Sequence, residues 1–180
     1  MPGPAAEAPC EFSRIVTPDR LSAPRLTEVL EASPDERDAV AGRLGILGVD
    51  RLTAELTVKS LGGRLFRVEG TWEAAVRQAC VVTLEPVAAA LDGRIEASYA
   101  AEVHAPRGAE VAFDPEAEDP AEALPAEGID LGELVVQELA VALDPYPRAP
   151  GAEVPPALRP DADEPAPGPF AALKALKGKK

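Results

Sequence analysis

The chain has 180 residues, 18 Lys and Arg against 31 Asp and Glu, a formal charge of -13 and an aromatic content of 4%. That length suits one domain with tails, with a core drawn mainly from Leu, Val, Ile and Ala. No stretch approaches the ~18 apolar residues of a spanning helix, no basic-then-apolar leader opens the chain, and collagen and coiled-coil patterns are missing, so a soluble, cytoplasmic protein is expected.

The first ten residues are small and Pro-rich and read as a disordered arm. Phe12–Val16 and Arg25–Glu31 show partial alternation interrupted by Pro18 and Pro24, and are expected to be strands. Ser33 then offers an N-cap, Pro34 suits the first helical position, Glu36 completes a capping box and Gly45 can close the helix after Leu44.

From Arg51 to Cys80 the pattern is that of a hairpin with one buried face: Leu52, Ala54, Leu56 and Val58, then Phe66, Val68, Trp72, Ala74 and Val76, alternate with polar residues. A two-residue Gly62-Gly63 turn would set the apolar residues on opposite faces. A three-residue loop, Leu61-Gly62-Gly63, keeps them together by pairing Val58 with Phe66 and Leu56 with Val68, with Gly63 supplying the left-handed residue. Odd positions from Val87 to Val103 form a third long strand, with a bulge expected at Asp92-Gly93. The predicted class is α+β: an antiparallel β-sheet covered by one or two helices.

Residues 106–128 turn acidic and Pro/Ala-rich and are expected to be a loop. Asp130 caps a second helix with Glu133 at its third position, and Leu131, Leu134, Val135, Leu139, Ala142 and Leu143 recur at helical spacing until Asp144-Pro145 stops it. The single domain is therefore drawn at 11–144. Nine prolines in residues 145–169 make a flexible linker. Residues 170–180 are expected to form a short basic amphipathic segment, with Phe170 and Leu173 on one side, Leu176 nearby and Lys174 and Lys177 close by. It is a candidate partner-binding element, with docking onto the sheet or the 130–143 helix of the same chain as the alternative.

No catalytic, cofactor or metal site is predicted. His104 is the sole histidine and lacks a patterned partner. Cys10 and Cys80 are expected to be reduced thiols, with Cys80 buried as a small hydrophobe, since Gln78–Val82 supplies neither a base nor positive charge. Glycines never form GxGxxG or a Walker sequence, and Glu116, Glu118 and Asp119 lack calcium-loop spacing.

Three motifs rise above this background: Gln78–Val87 around Cys80, Glu85 and Pro86; Gly128-Ile129-Asp130-Leu131 leading through Glu138 to Leu143-Asp144-Pro145; and Pro169–Lys177. In this order they resemble the YceD family of large ribosomal RNA subunit accumulation proteins, with a form of the first motif similar to the alphaproteobacterial branch. The resemblance implies a non-enzymatic cytoplasmic factor in accumulation or processing of large-subunit (23S) ribosomal RNA, without a cofactor. Cys80, Glu85, Pro86, Asp130 and Glu138 are then family-motif positions of unknown role. Relatives often carry a CxxC-like pair at the hairpin exit, whereas this chain has Arg77 and Cys80, so a metal or redox role for such a pair is not expected here.

Charge placement bears on the partner. Residues 1–112 carry 12 basic and 17 acidic side chains, residues 113–169 carry 2 and 14, and residues 170–180 carry four lysines and no acid. A basic ribosomal or rRNA-processing protein suits that acidic segment better than naked RNA does. Direct rRNA contact through Arg64, Arg67, Arg77, Arg94 and the terminal lysines is the alternative, as is an adaptor unrelated to ribosomes. No membrane or small-molecule partner is expected.

Overall fold

A computed structural model describes residues 11–101 and 121–154. The arm at 1–10 with Cys10, His104, most of the acidic loop, the later part of the linker and the 170–180 segment lie outside the described residues. Contacts divide the chain into a unit Met1–Ala149 and a second unit from Pro150, of which residues 150–154 are described.

In chain order the first unit contains β1 (Ile15–Val16), a 3-10 turn (Arg20–Ser22), β2 (Arg25–Glu31), α1 (Pro34–Leu44), β3 (Gly48–Gly62), β4 (Leu65–Ala79), β5 (Pro86–Ala100), β6 (Glu122–Ala123), β7 (Ile129–Asp130) and α2 (Leu131–Ala142). This is the α+β class expected. The main sheet has the order β2-β3-β4-β5-β6, antiparallel except for the β5-β6 pair, and β1 and β7 form a separate two-stranded ladder.

Local signals set the helices. The Ser33 hydroxyl accepts the Glu36 N–H at 3.4 Å and the Glu36 carboxylate accepts the Ser33 N–H at 2.8 Å, the reciprocal capping box. Gly45, at φ 64°, closes α1 where expected. Asp130 caps α2 by accepting the N–H groups of Gly132 and Glu133. On α2 the buried face is Leu131, Val135, Val136 and Leu139; Ala142, expected in the core, is exposed.

The hairpin keeps its predicted faces but reaches them by a different turn. Gly63 and Arg64 form the two-residue turn, at φ 59° and 60°, with Gly62 paired to Leu65. Alone, that turn would invert the parity of β3 against β4. A shift at Leu61 restores it, so Ser60 pairs with Phe66, Val58 with Val68 and Leu56 with Gly70. The expected pairs Val58 with Phe66 and Leu56 with Val68 are thus off by two residues, an even number that leaves every side chain on its predicted face.

β5 pairs with β4 without interruption from Pro86 to Ala100, so the bulge expected at Asp92-Gly93 is not there. Gly93 answers to packing instead. It lies opposite Trp72, and a Cβ on it would sit 2.8 Å from the indole Nε1.

Both helices cover one face of the sheet, α1 over β3 and α2 over β5. Leu52, Leu56, Val68, Trp72, Val76 and Ile95 meet Phe12, Val16, Val40, Ile129 and the α2 face there. Two segments expected to lack structure join this unit. The end of the acidic loop supplies β6, where Glu122 and Ala123 pair with Tyr99 and Ala100. Residues 144–149, assigned in part to the linker, are tied to the β4 exit: Gln78 Nε2 donates to the Asp144 carbonyl at 2.8 Å and Val81 N–H to the Pro147 carbonyl at 2.9 Å.

Candidate functional site

Cys80 closes the turn between β4 and β5. Its N–H donates to the Glu85 carbonyl at 2.8 Å, its own carbonyl accepts the Leu84 N–H at 2.9 Å, and Leu84 is held at φ 63° with its side chain in solvent. Pro86 follows as the first residue of β5, where its missing N–H costs no ladder bond. The Cys80 sulfur is fully buried, as expected of a small hydrophobe, but it is also an acceptor. The N–H groups of Ala149, Val82 and Thr83 reach Sγ at 3.3, 3.4 and 3.4 Å. The bonds from Ala149 and Thr83 favour the thiolate and draw the thiol down to about 6, against burial, which raises it.

At the opposite end of α2, Asp130 is a clasp. Besides the two helix N–H groups it accepts the Arg14 N–H at 2.7 Å and the Ser13 hydroxyl at 2.5 Å, while Leu131 N–H donates to the Arg14 carbonyl at 3.0 Å. Gly132 is required by the same contact: a Cβ there would lie 2.2 Å from the Phe12 carbonyl oxygen. Arg14 continues the chain of bonds to Glu36 on α1 at 2.7 Å, and Arg43 on α1 bridges Glu133 on α2 at 2.7 Å and Glu11 at 3.2 Å. Arg14, Arg43, Gly132 and Ala149 carried no pattern in the sequence, because their partners are distant in the chain.

The motif positions therefore do not converge. Cys80, Glu85 and Pro86 lie together beside residues 144–149, Asp130 lies at the far end of α2, and Glu138 is exposed on that helix. Twelve helical residues separate the two ends by about 18 Å. Phe170, Leu173, Lys174, Leu176 and Lys177 fall outside the described residues.

The face of the sheet turned away from the helices holds a broad open depression over Thr71, rimmed by Arg51, Glu73, Asp92 and Arg94. Opposite charges alternate across it: Arg51 pairs with Glu73, Lys59 with Glu69, and Arg67 with Glu96. Among the described residues no three His, Cys, Asp or Glu side chains gather in a metal-binding group, and no helix is long and apolar enough to cross a membrane.

These features define a small α+β protein whose recognisable motif residues tie distant segments of the chain together. The chain belongs to the YceD family: the model of that family, described as Large ribosomal RNA subunit accumulation protein YceD, matches residues 68–177. That span begins within β4 and takes in the Cys80 turn, β5 and α2, leaving β1 to β3 and α1 outside it. The family is not a known enzyme family. No curated protein and no solved structure matches the chain.

Proposed function

We propose that the chain is a non-enzymatic cytoplasmic factor that supports accumulation or processing of 23S ribosomal RNA through contacts with a protein. The family match over residues 68–177 carries this reading.

The partner is a basic ribosomal or rRNA-processing protein. With 14 acids against 2 bases in residues 113–169, the chain repels RNA phosphates over that stretch and attracts a cationic surface. Phe170, Leu173 and Leu176, with Lys174 and Lys177 between and after them in the sequence, are the candidate docking residues. The full chain, tagged and purified from lysate with and without nuclease, tests this. A basic protein retained after nuclease supports the reading, and truncation after Pro169 should reduce its recovery. A partner set that disappears with the RNA would replace it by direct rRNA binding.

A further inference from the structure

The two edges of the main sheet are unlike. β2 is seven residues long, follows Pro24, and carries Arg25, Glu28 and Glu31. A short, charged strand is how sheet edges are usually protected from pairing. β5 is fifteen residues long, and on the side away from β4 only Tyr99 and Ala100 have a strand partner among the described residues. Its first six residues, Pro86–Leu91, include no charged side chain.

Three bonds fix which backbone groups face that edge. The Glu85 carbonyl accepts the Cys80 N–H and Ala101 N–H donates to the Arg64 carbonyl, both on the β4 side, whereas the Ala100 carbonyl accepts the Leu124 N–H on the outer side. The β4-β5 ladder between them runs without a register shift. Odd-numbered residues of β5 therefore bond to β4, and Ala88, Ala90, Asp92, Arg94, Glu96 and Ser98 turn their N–H and C=O groups outward.

Those six residues are complementary to themselves. Laid antiparallel on a second copy about a two-fold axis at Gly93, Ala88 meets Ser98, Ala90 meets Glu96, and Asp92 meets Arg94, so every outward group finds its counterpart. The central pair sets opposite charges against each other twice. On the covered face the same register brings Leu91 opposite Ile95. Moving the axis to Ile95 would run Ala90 against Ala100, whose outward carbonyl is already bonded in β6. Moving it to Leu91 would lose the charge pairing and place Pro86, which has no N–H, within the ladder.

We propose that β5 is a homodimerisation edge, paired antiparallel with β5 of a second copy about Gly93, so that one sheet continues across both subunits. The assignment is independent of the ribosomal reading. Backbone pairing supplies the attraction, and the Asp92–Arg94 pairs select the register.

Sedimentation of the full chain over a concentration series tests it. A reversible monomer–dimer equilibrium is expected. Ala90→Pro removes one outward N–H without touching a bond to β4 and should leave a monomer, with circular dichroism reporting retention of the fold. Arg94→Asp sets Asp92 against an aspartate at both central positions and should weaken the dimer about tenfold. The double variant Asp92→Arg/Arg94→Asp should restore it, and this pair of surface changes decides the matter even if the proline variant unfolds. A monomer at every concentration, as when another protein or another segment of the chain occupies this edge, would overturn the proposal. So would a dimer that the single swap leaves intact or the double swap fails to rescue.

Discussion

Asp130 Oδ1 accepts the backbone N–H of Arg14 at 2.7 Å across 116 positions of sequence, and the same oxygen accepts the Gly132 N–H of its own helix at 3.0 Å. One carboxylate thus caps α2 and fixes the N-terminal segment that carries Phe12 into the core. The conspicuous Ile129-Asp130-Leu131 motif is accounted for by folding.

Asp130→Ala should therefore cost more than an ordinary cap. Loss of the cap contributes about 1 kcal/mol and loss of the charge-assisted bonds to Ser13 and Arg14 about 1.5–3 kcal/mol, so about 2.5–4 kcal/mol is expected from urea unfolding. Asp130→Asn keeps an acceptor oxygen and should lose less. Equal losses for the two variants would contradict this, since they would show that a neutral acceptor oxygen recovers none of the clasp.

Deleting Leu61 should be far more damaging than replacing it. Its side chain is half-exposed, so Leu61→Ser should change the unfolding midpoint little. Its backbone is the extra residue that restores parity between β3 and β4. Without it, the Gly63-Arg64 turn would turn Leu52, Leu56 and Val58 toward solvent, or the turn itself must be remade. A deletion variant that unfolds like the substitution would contradict this role.

Glu36 contributes a pH dependence. Its bond with Arg14, followed by the bonds to Ser33, pulls its carboxyl down to about 2. A carboxyl lowered by folding adds stability at neutral pH that is lost as pH falls from about 4.5 toward 2. The pair is partly solvated, so the effect is small, below about 1 kcal/mol. Glu36→Gln should be less stable than the parent at pH 7, and the difference should vanish near pH 2. A difference that is constant over this range would assign the loss to something other than charge.

Cys80→Ala should fold with a lowered midpoint, because it leaves a void and three N–H groups without their sulfur acceptor. Function should persist. In the parent, the buried thiol should react with a bulky disulfide reagent only as fast as the turn opens, despite its lowered pKa. Rapid native-state labelling would show that the sulfur is accessible.

Elements whose cause is local were legible in the sequence. Ser33, Pro34, Glu36 and Gly45 define α1 to the residue because a capping box and a left-handed closing glycine act within one turn. Which face of β3, β4 and β5 is buried was also legible, since alternation records it directly. The exact pairing of β3 with β4 was not, because two turns with the same parity satisfy the same pattern and only the bulge at Leu61 distinguishes them. Gly93 was misread as a bulge because its reason, the indole of Trp72, lies on another strand. β6 and residues 144–149 carry no periodicity, and backbone bonds to β5 and to the Cys80 turn order them. Of the candidate site, the cap formed by Asp130 and the burial of Cys80 were legible, but their long-range bonds were not: Asp130 also holds Arg14, and Cys80 accepts from Ala149, positions that nothing in the sequence links to them.

The central claim is that this protein supports large-subunit ribosomal RNA. The most direct measurement is the ratio of 23S to 16S ribosomal RNA in cells lacking the protein, compared with the same cells carrying the full chain or its Cys80→Ala form. The ratio should fall on removal and return with both forms, as a factor without a catalytic thiol requires. An unchanged ratio on removal would contradict the account, and recovery with the full chain but not with a folded Cys80→Ala protein would contradict its non-enzymatic reading.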